Sequence, residues 1–231
     1  MSTSHTYLFA PPPVSAVPID GHAAQFPVRR IYCVGRNYAE HTREMGFDPD
    51  KEPPFFFMKT ADAVVLDGKF PYPQASKQVD WEIELYVALK SGGTNIKRAD
   101  ALSHVFGYGL ALDMTRRDLQ AVSKKTGRPW EIGKAFDHSA PMTAIKPAAT
   151  IGHPTSGAIW LDVNGNRHQT GDLSQMIWSI PEQIEYLSGL WELKAGDIIM
   201  TGTPAGVGAV ERGDELHGHA DGIGDLRVKV M

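Results

Sequence analysis

The sequence predicts a β-rich α+β domain. Three observations point there: short apolar segments of strand length, rich in aromatic and β-branched residues; Gly, Pro, Asn and Asp turn signals between them; and only a few stretches with helical spacing. At 231 residues the chain can bury a sizeable core within one domain. Its 42% hydrophobic and 22% charged residues are ordinary globular values, which argue against wholesale disorder or a fibrous repeat.

Residues 1–28 carry Pro11, Pro12, Pro13 and Pro18, whose rings fix φ and remove backbone donors, so an extended N-terminal arm is expected ahead of a single domain over 29–231. The apolar run 30–34 is a strand candidate ended by Gly35, and a helix over 38–45 follows, with Gly46 placed to terminate it. Residues 54–59 and 79–89 read as strands, closed by turns at Asp67-Gly68 and Ser91-Gly92-Gly93. A small helix over 97–104 leads into a strand over 105–113, whose glycines permit close backbone approach. Thr115 and Asp118 have capping-box spacing, which sets Asp113 where a strand gives way to a helix. Asn164-Gly165 joins 159–163 to 167–169 as a type I′ hairpin. A helix over 176–187, a strand over 198–200 and a strictly alternating closing strand over 225–230 complete the reading. No internal repeat and no low-complexity tract beyond the proline arm is present.

The formal net charge of −4 offers no basic footprint for nucleic acid or an anionic membrane, so the expected partners are a small molecule or another copy of the chain. Cys33 is the single cysteine and cannot form an intramolecular disulfide. It reads as a small buried hydrophobe, and a reducing cytosol suits the chain. No apolar run reaches the length of a membrane span, and the first ten residues lack the basic start and apolar block of a signal peptide, so export is not expected. No phosphate-loop ending and no strand-borne G-x-G-x-x-G is found, which speaks against a nucleotide cofactor.

On a strand, Glu82 and Glu84 project to one face while Trp81, Ile83 and Leu85 face the other. Asp80, Tyr86 and Ala88, on the face of the glutamates, supply no lysine or arginine. Two carboxylates in a partly desolvated space therefore call for a cation or a shared proton. Asp113 can add a third oxygen ligand. An all-carboxylate shell favours a hard cation, Mg²⁺ first and Mn²⁺ next. The same Glu-x-Glu pair also fits a solvated outer face. His41 and Glu44, three apart on the predicted helix, form either a base supported by a carboxylate or an exposed ion pair. Thr201-Gly202-Thr203-Pro204 reads either as N–H groups and hydroxyls for a substrate carboxylate or as a tight turn.

Four segments, taken in order, resemble the fumarylacetoacetate hydrolase family. They are Cys33-Val34-Gly35-Arg36-Asn37-Tyr38-Ala39-Glu40-His41, Trp81-Glu82-Ile83-Glu84-Leu85, Leu112-Asp113-Met114-Thr115-Arg116-Arg117-Asp118, and Met200-Thr201-Gly202-Thr203-Pro204-Ala205-Gly206-Val207-Gly208. The resemblance runs from about Arg29 to the C-terminus, and the chain is most similar to the short acylpyruvate hydrolases of the family. It implies a mixed β-sandwich roll with a few short helices and a homodimer. The implied activity is metal-dependent cleavage of a carbon-carbon bond in a dioxo acid such as fumarylpyruvate, within gentisate catabolism. It assigns Glu82, Glu84 and Asp113 to the metal, His41 and Glu44 to water activation, Lys134 to catalysis, and Arg117, Gln120 and Thr203 to the substrate. A fumaryl substrate carries a second carboxylate, for which Arg36, Arg43, Lys59 and Arg117 are the candidates. A decarboxylase or keto-enol tautomerase of the same family, acting on an oxaloacetate-like acid, and a non-catalytic metal-binding protein are the alternatives. Two departures from the family pattern, Trp81 before the Glu-x-Glu pair and Thr60 after Lys59, bear on the substrate rather than on the chemistry.

Overall fold

Apolar runs without polar alternation become strands buried on both faces, and alternating runs become strands with one wet face. Both kinds occur in the computed structural model, which describes residues 6–44 and 53–231. In chain order the main elements are β1 (Arg30–Gly35), α1 (Ala39–Glu44), β2 (Phe55–Lys59), β3 (Val79–Trp81), β4 (Ile83–Leu89), β5 (Val105–Leu112), α2 (Arg117–Thr126), α3 (Glu131–Lys134), β6 (Ala158–Val163), β7 (Asn166–Asp172), α4 (Ile180–Leu190), β8 (Asp197–Met200), β9 (Glu215–Ala220) and β10 (Gly224–Val230).

A six-stranded sheet runs in the order Lys146–Pro147, β5, β4, β8, β1, β2, with β8 and β1 parallel and their other neighbours antiparallel. A five-stranded sheet runs β7, β6, β9, β10, Lys69–Phe70. The core lies between them: Ile83, Leu85, Leu110 and Leu112 from the first meet Leu161, Leu216, Val228 and Val230 from the second. The first sheet buries its other face too, setting Ile31, Cys33, Tyr86, Ala88, Ile198 and Met200 against Val17, Phe26, Val28, Met142 and Ile145. This is the mixed sandwich with few helices that the sequence predicts. Gly109 is required where β5 crosses β4, because a Cβ there would lie 2.4 Å from the ring of its pairing partner Tyr86.

Several boundaries differ from expectation for identifiable reasons. Helix α1 covers Ala39–Glu44, while Met45 and Gly46 fall outside the described residues. The run 79–89 is two strands, since the chain leaves one sheet and enters another at Glu82; β3 pairs instead with Thr115–Arg116 and Gly208–Ala209. The capping box at Thr115 does not form. Arg116 takes the cap position without a side-chain bond, Thr115 Oγ1 donates to the Asp113 carbonyl, and Asp118 accepts from Ser76 Oγ and the Lys77 N–H. The helix expected from residue 176 begins at Ile180, after a 3₁₀ turn at Leu173–Gln175, with Pro181 in the first turn, where its missing N–H costs no bond. The hairpin turn has Asn164 and Gly165 at φ 51° and 80°, as type I′ demands. Near the N-terminus, Ala16–Pro18 pairs antiparallel with Gln25–Pro27, and Val17 and Phe26 enter the core. Among the described residues no helix is long and apolar enough to cross a membrane.

Candidate active site

Strand periodicity carries the first carboxylate into place. In β4, Ile83, Leu85, Val87 and Leu89 face the five-stranded sheet, which leaves Glu84 on the face of Tyr86 and Ala88. In β5, Leu110 and Leu112 face the same sandwich core, Ala111 faces the other way, and Asp113 follows just past the strand end. Ile83 pairs with Leu112, and the Asp113 N–H donates to the Glu82 carbonyl at 2.8 Å, so Glu82 and Asp113 adjoin at the sheet end. One oxygen from each of Glu82, Glu84 and Asp113 lies within 4.8 Å of the others, and all three residues are buried.

Side-chain cations reach this cluster from elements far away in sequence, which the reading of the strand alone did not anticipate. Lys134, ending α3, donates from Nζ to Glu82 Oε2 at 2.8 Å, Asp113 Oδ2 at 2.7 Å and Thr115 Oγ1 at 2.6 Å. Arg117, opening α2, donates from Nη2 to Glu82 Oε1 at 2.5 Å, from Nε to Asp80 Oδ2 at 2.6 Å and from Nη1 to Gln120 Oε1 at 2.8 Å. Burial alone would raise the Glu82 carboxyl, but Lys134 and Arg117 outweigh it and hold Glu82 below the usual carboxylate range. Burial likewise opposes charge on Lys134, yet Asp113 and Glu82 raise it above an ordinary lysine.

Glu84 is the contrasting case. Burial, then Asp113 and Glu82, push its carboxyl well above the ordinary range, and the Gly202 N–H, 2.9 Å from Oε2, offsets this only in part. Asp113 Oδ1 is buried without a hydrogen bond; Lys59 Nζ lies 2.9 Å away, outside the direction a hydrogen bond needs. A carboxyl without its own cation, an unbonded buried oxygen and three convergent hard donors together fit a divalent metal ion.

These groups form one wall of a pocket. Of the residues singled out from sequence, His41, Arg36, Arg117, Gln120, Lys134 and Thr203 border it together with the three carboxylates. Arg36 turns the chain out of β1 with a left-handed φ of 61°, a strained conformation for a residue with a Cβ. Glu44 closes α1, but its side chain, like that of Arg43, lies outside the described residues. Lys59 requires a correction as a substrate-side cation. Its side chain is fully buried behind Asp113, where Nζ bonds the carbonyls of Met114, at 3.2 Å, and Lys134. The Gly202 N–H, one candidate for a substrate carboxylate, is likewise taken by Glu84.

Three further residues shape the site through bonds that the sequence does not show. Gln169, in β7, accepts from the Ile83 N–H at 3.0 Å and donates to Thr203 Oγ1 and the Pro204 carbonyl at 2.8 Å, tying the Glu82 corner to the Thr203 loop. Asn37 donates to the Thr201 carbonyl at 2.8 Å and accepts from the Trp178 N–H at 2.7 Å. Trp81 donates from Nε1 to the Gly206 carbonyl at 3.1 Å. Asn37 and Trp81 lie inside the quoted motifs, so their presence was legible and their bonds were not. Gln169 sits in a hairpin strand like any other.

Fold and site together set three buried carboxylates, a group that could hold a divalent cation, at the end of a mixed sheet. The chain belongs to the fumarylacetoacetate hydrolase family: residues 30–231 match the family's model of the fumarylacetoacetate (FAA) hydrolase C-terminal domain. It is similar to the crystal structure of fumarylpyruvate hydrolase from Pseudomonas aeruginosa in complex with Mn²⁺ and pyruvate, at 52% identity and a TM-score of 0.96, over 98% of this chain and 99% of that one. It is also similar to the mitochondrial oxaloacetate tautomerase FAHD1 of Rattus norvegicus, 42% identical over 87% of this chain and 91% of the relative. The mitochondrial oxaloacetate decarboxylase of Dictyostelium discoideum is 39% identical over 81% of this chain and 87% of that protein.

Proposed function

We propose that the protein is a divalent-metal hydrolase of acylpyruvates, cleaving fumarylpyruvate to fumarate and pyruvate with Mg²⁺ as its ion and Mn²⁺ as a competent substitute. The observation that carries this reading is His41, a potential base, in the wall of the pocket that holds Glu82, Glu84 and Asp113. The Pseudomonas aeruginosa fumarylpyruvate hydrolase, with Mn²⁺ and pyruvate bound, supports it.

Glu82, Glu84 and Asp113 would hold the cation, which when bound would supply Lewis-acid polarisation of the 2-oxo acid. His41 takes a proton from water, with Glu44 assigned to orient the imidazole. The water oxygen bonds to the distal carbonyl carbon, the bond from that carbon to the central methylene breaks, and its electron pair leaves with pyruvate as the enolate. Lys134, oriented by Glu82, Asp113 and Thr115, would give up one of these three bonds to steady the developing oxyanion or return a proton to the leaving carbon. Arg117, Gln120, Thr203 and Arg36 serve the substrate side.

The tautomerase and decarboxylase relatives favour a second reading, in which the same site acts on oxaloacetate without an attacking water. The deciding experiment follows pyruvate release from fumarylpyruvate with Mg²⁺ or Mn²⁺, in the wild type and in His41→Ala. The hydrolase reading expects release in the wild type and a loss of roughly 100-fold or more in kcat in the variant. No release from the wild type, with oxaloacetate turned over equally well by both proteins, establishes the second reading instead.

A further inference from the structure

Helix α2 places Arg117, Gln120 and Lys124 at intervals of three and four, so they share one face, and all three border the pocket. Arg117 and Gln120 are engaged at the carboxylate end, through Glu82 and through each other. Lys124 lies two turns on, roughly 10 Å farther along the axis at 1.5 Å per residue. Its Nζ sits 4.9 Å from the ring centroid of Trp130, another pocket residue, which Phe55 steadies edge-on at 4.7 Å. Among the described residues four cations border the pocket, and they differ in what they touch. Lys134 and Arg117 are bonded to Glu82, and Arg36 leans on the Phe55 ring at 5.9 Å. Lys124 makes no ion pair among the described residues.

We infer that Lys124, seated on Trp130, is a specificity-determining residue that receives a carboxylate at the acyl end of the substrate. An extended acid bound at the Glu82 end would lie along the α2 face, and its far end would arrive beside Lys124. Burial and then the Arg117 cation push the Lys124 ammonium down to about 8, with Glu82 opposing them in part, and no described carboxylate balances it with an ion pair. An anionic acyl end supplies the balance, and an uncharged end does not. With Lys59 held behind Asp113, Lys124 takes the place that the sequence suggested for Lys59.

The inference rests on the acylpyruvate reading for the reacting end, and its test is a binding measurement that needs no turnover. Calorimetry on the Mn²⁺-loaded protein compares 2-oxopimelate, which ends in a carboxylate, with 2-oxoheptanoate, which ends in a methyl group; neither has the 4-oxo group needed for cleavage. The wild type is expected to prefer 2-oxopimelate. Lys124→Met should weaken that ligand roughly 10- to 100-fold, leaving 2-oxoheptanoate within about twofold, and Lys124→Arg should keep most of the preference. No preference in the wild type, or equal changes for both ligands in Lys124→Met, overturns the inference. Lys124→Gln, with Mn²⁺ affinity and unfolding midpoint measured alongside, replaces the methionine variant if that one misfolds. Absence of pyruvate release from acylpyruvates would sink the hydrolase reading while leaving this selectivity in place, and the reverse pattern would sink Lys124 alone.

Discussion

Gly202 donates its backbone N–H to Glu84 Oε2 across 2.9 Å, the one hydrogen bond that this carboxyl makes among the described residues. The bond joins the start of the loop after β8 to the middle of the carboxylate cluster. It depends on a backbone that most residues avoid: Gly202 has a φ of 98°, and a Cβ there would lie 2.7 Å from the Asn37 Cβ.

Gly202→Ala is therefore expected to cost about 1–3 kcal/mol in urea unfolding and to weaken Mn²⁺ binding together with stability. Unchanged Mn²⁺ affinity in the variant would show that the Gly202 N–H does not position Glu84.

Glu84 carries the site's raised carboxyl, and the sign of its effect follows from that direction. The folded chain takes up a proton at Glu84 between the ordinary carboxyl range and its raised folded value, so its contribution to stability falls as pH climbs through that window. Glu84→Gln removes the penalty and keeps an acceptor for Gly202. The metal-free variant should unfold at a higher temperature than the metal-free wild type at neutral pH, and it should lose the rise that saturating Mn²⁺ gives the wild type. That rise is about 2.7 kcal/mol at a hundredfold excess over Kd. A metal-free variant that unfolds earlier than the wild type would contradict this account of Glu84.

Lys59→Met distinguishes a cation that braces the site from one that reads the substrate. Removing an ammonium paired with buried Asp113 should destabilise the fold by about 3–5 kcal/mol. The affinity ratio between 2-oxopimelate and 2-oxoheptanoate should stay at its wild-type value. A collapse of that ratio at constant stability would return Lys59 to the substrate side.

Gln169→Leu deprives the Ile83 N–H of its acceptor and Thr203 of its donor while filling the same volume. Each buried group left unsatisfied costs about 1–3 kcal/mol, so the unfolding free energy should drop by that order. If the Thr203 loop serves the substrate, KM should rise more than kcat falls, which steady-state kinetics on the native substrate would read.

Strand alternation was enough to put Glu84 with Tyr86 and Ala88 and to set Ile83 and Leu85 in the core, because a period of two depends only on the local backbone. The glycines of the strand before Asp113 and the Asn164-Gly165 turn were legible for the same reason. The break at Glu82 was not, since a strand that changes sheets looks continuous in one dimension. The failed capping box at Thr115 has a similar origin: its hydroxyl is committed to Lys134 and to the Asp113 carbonyl, partners that local spacing cannot reveal.

Local chemistry in the sequence was sufficient for the β-rich class and for Glu82 and Glu84 side by side on one strand, while the order of family-like motifs, not spacing, singled them out with Asp113 and His41. Long-range packing decided how their charges are balanced. Lys134 and Arg117 reach Glu82 from helices 52 and 35 residues along the chain. Lys59 is spent behind Asp113, and Lys124 is left facing the pocket from the far end of α2. Electrostatic energies depend on separation in space and on burial, and neither is a function of separation along the chain, so the same lysines that read alike in sequence acquire three different duties in the fold.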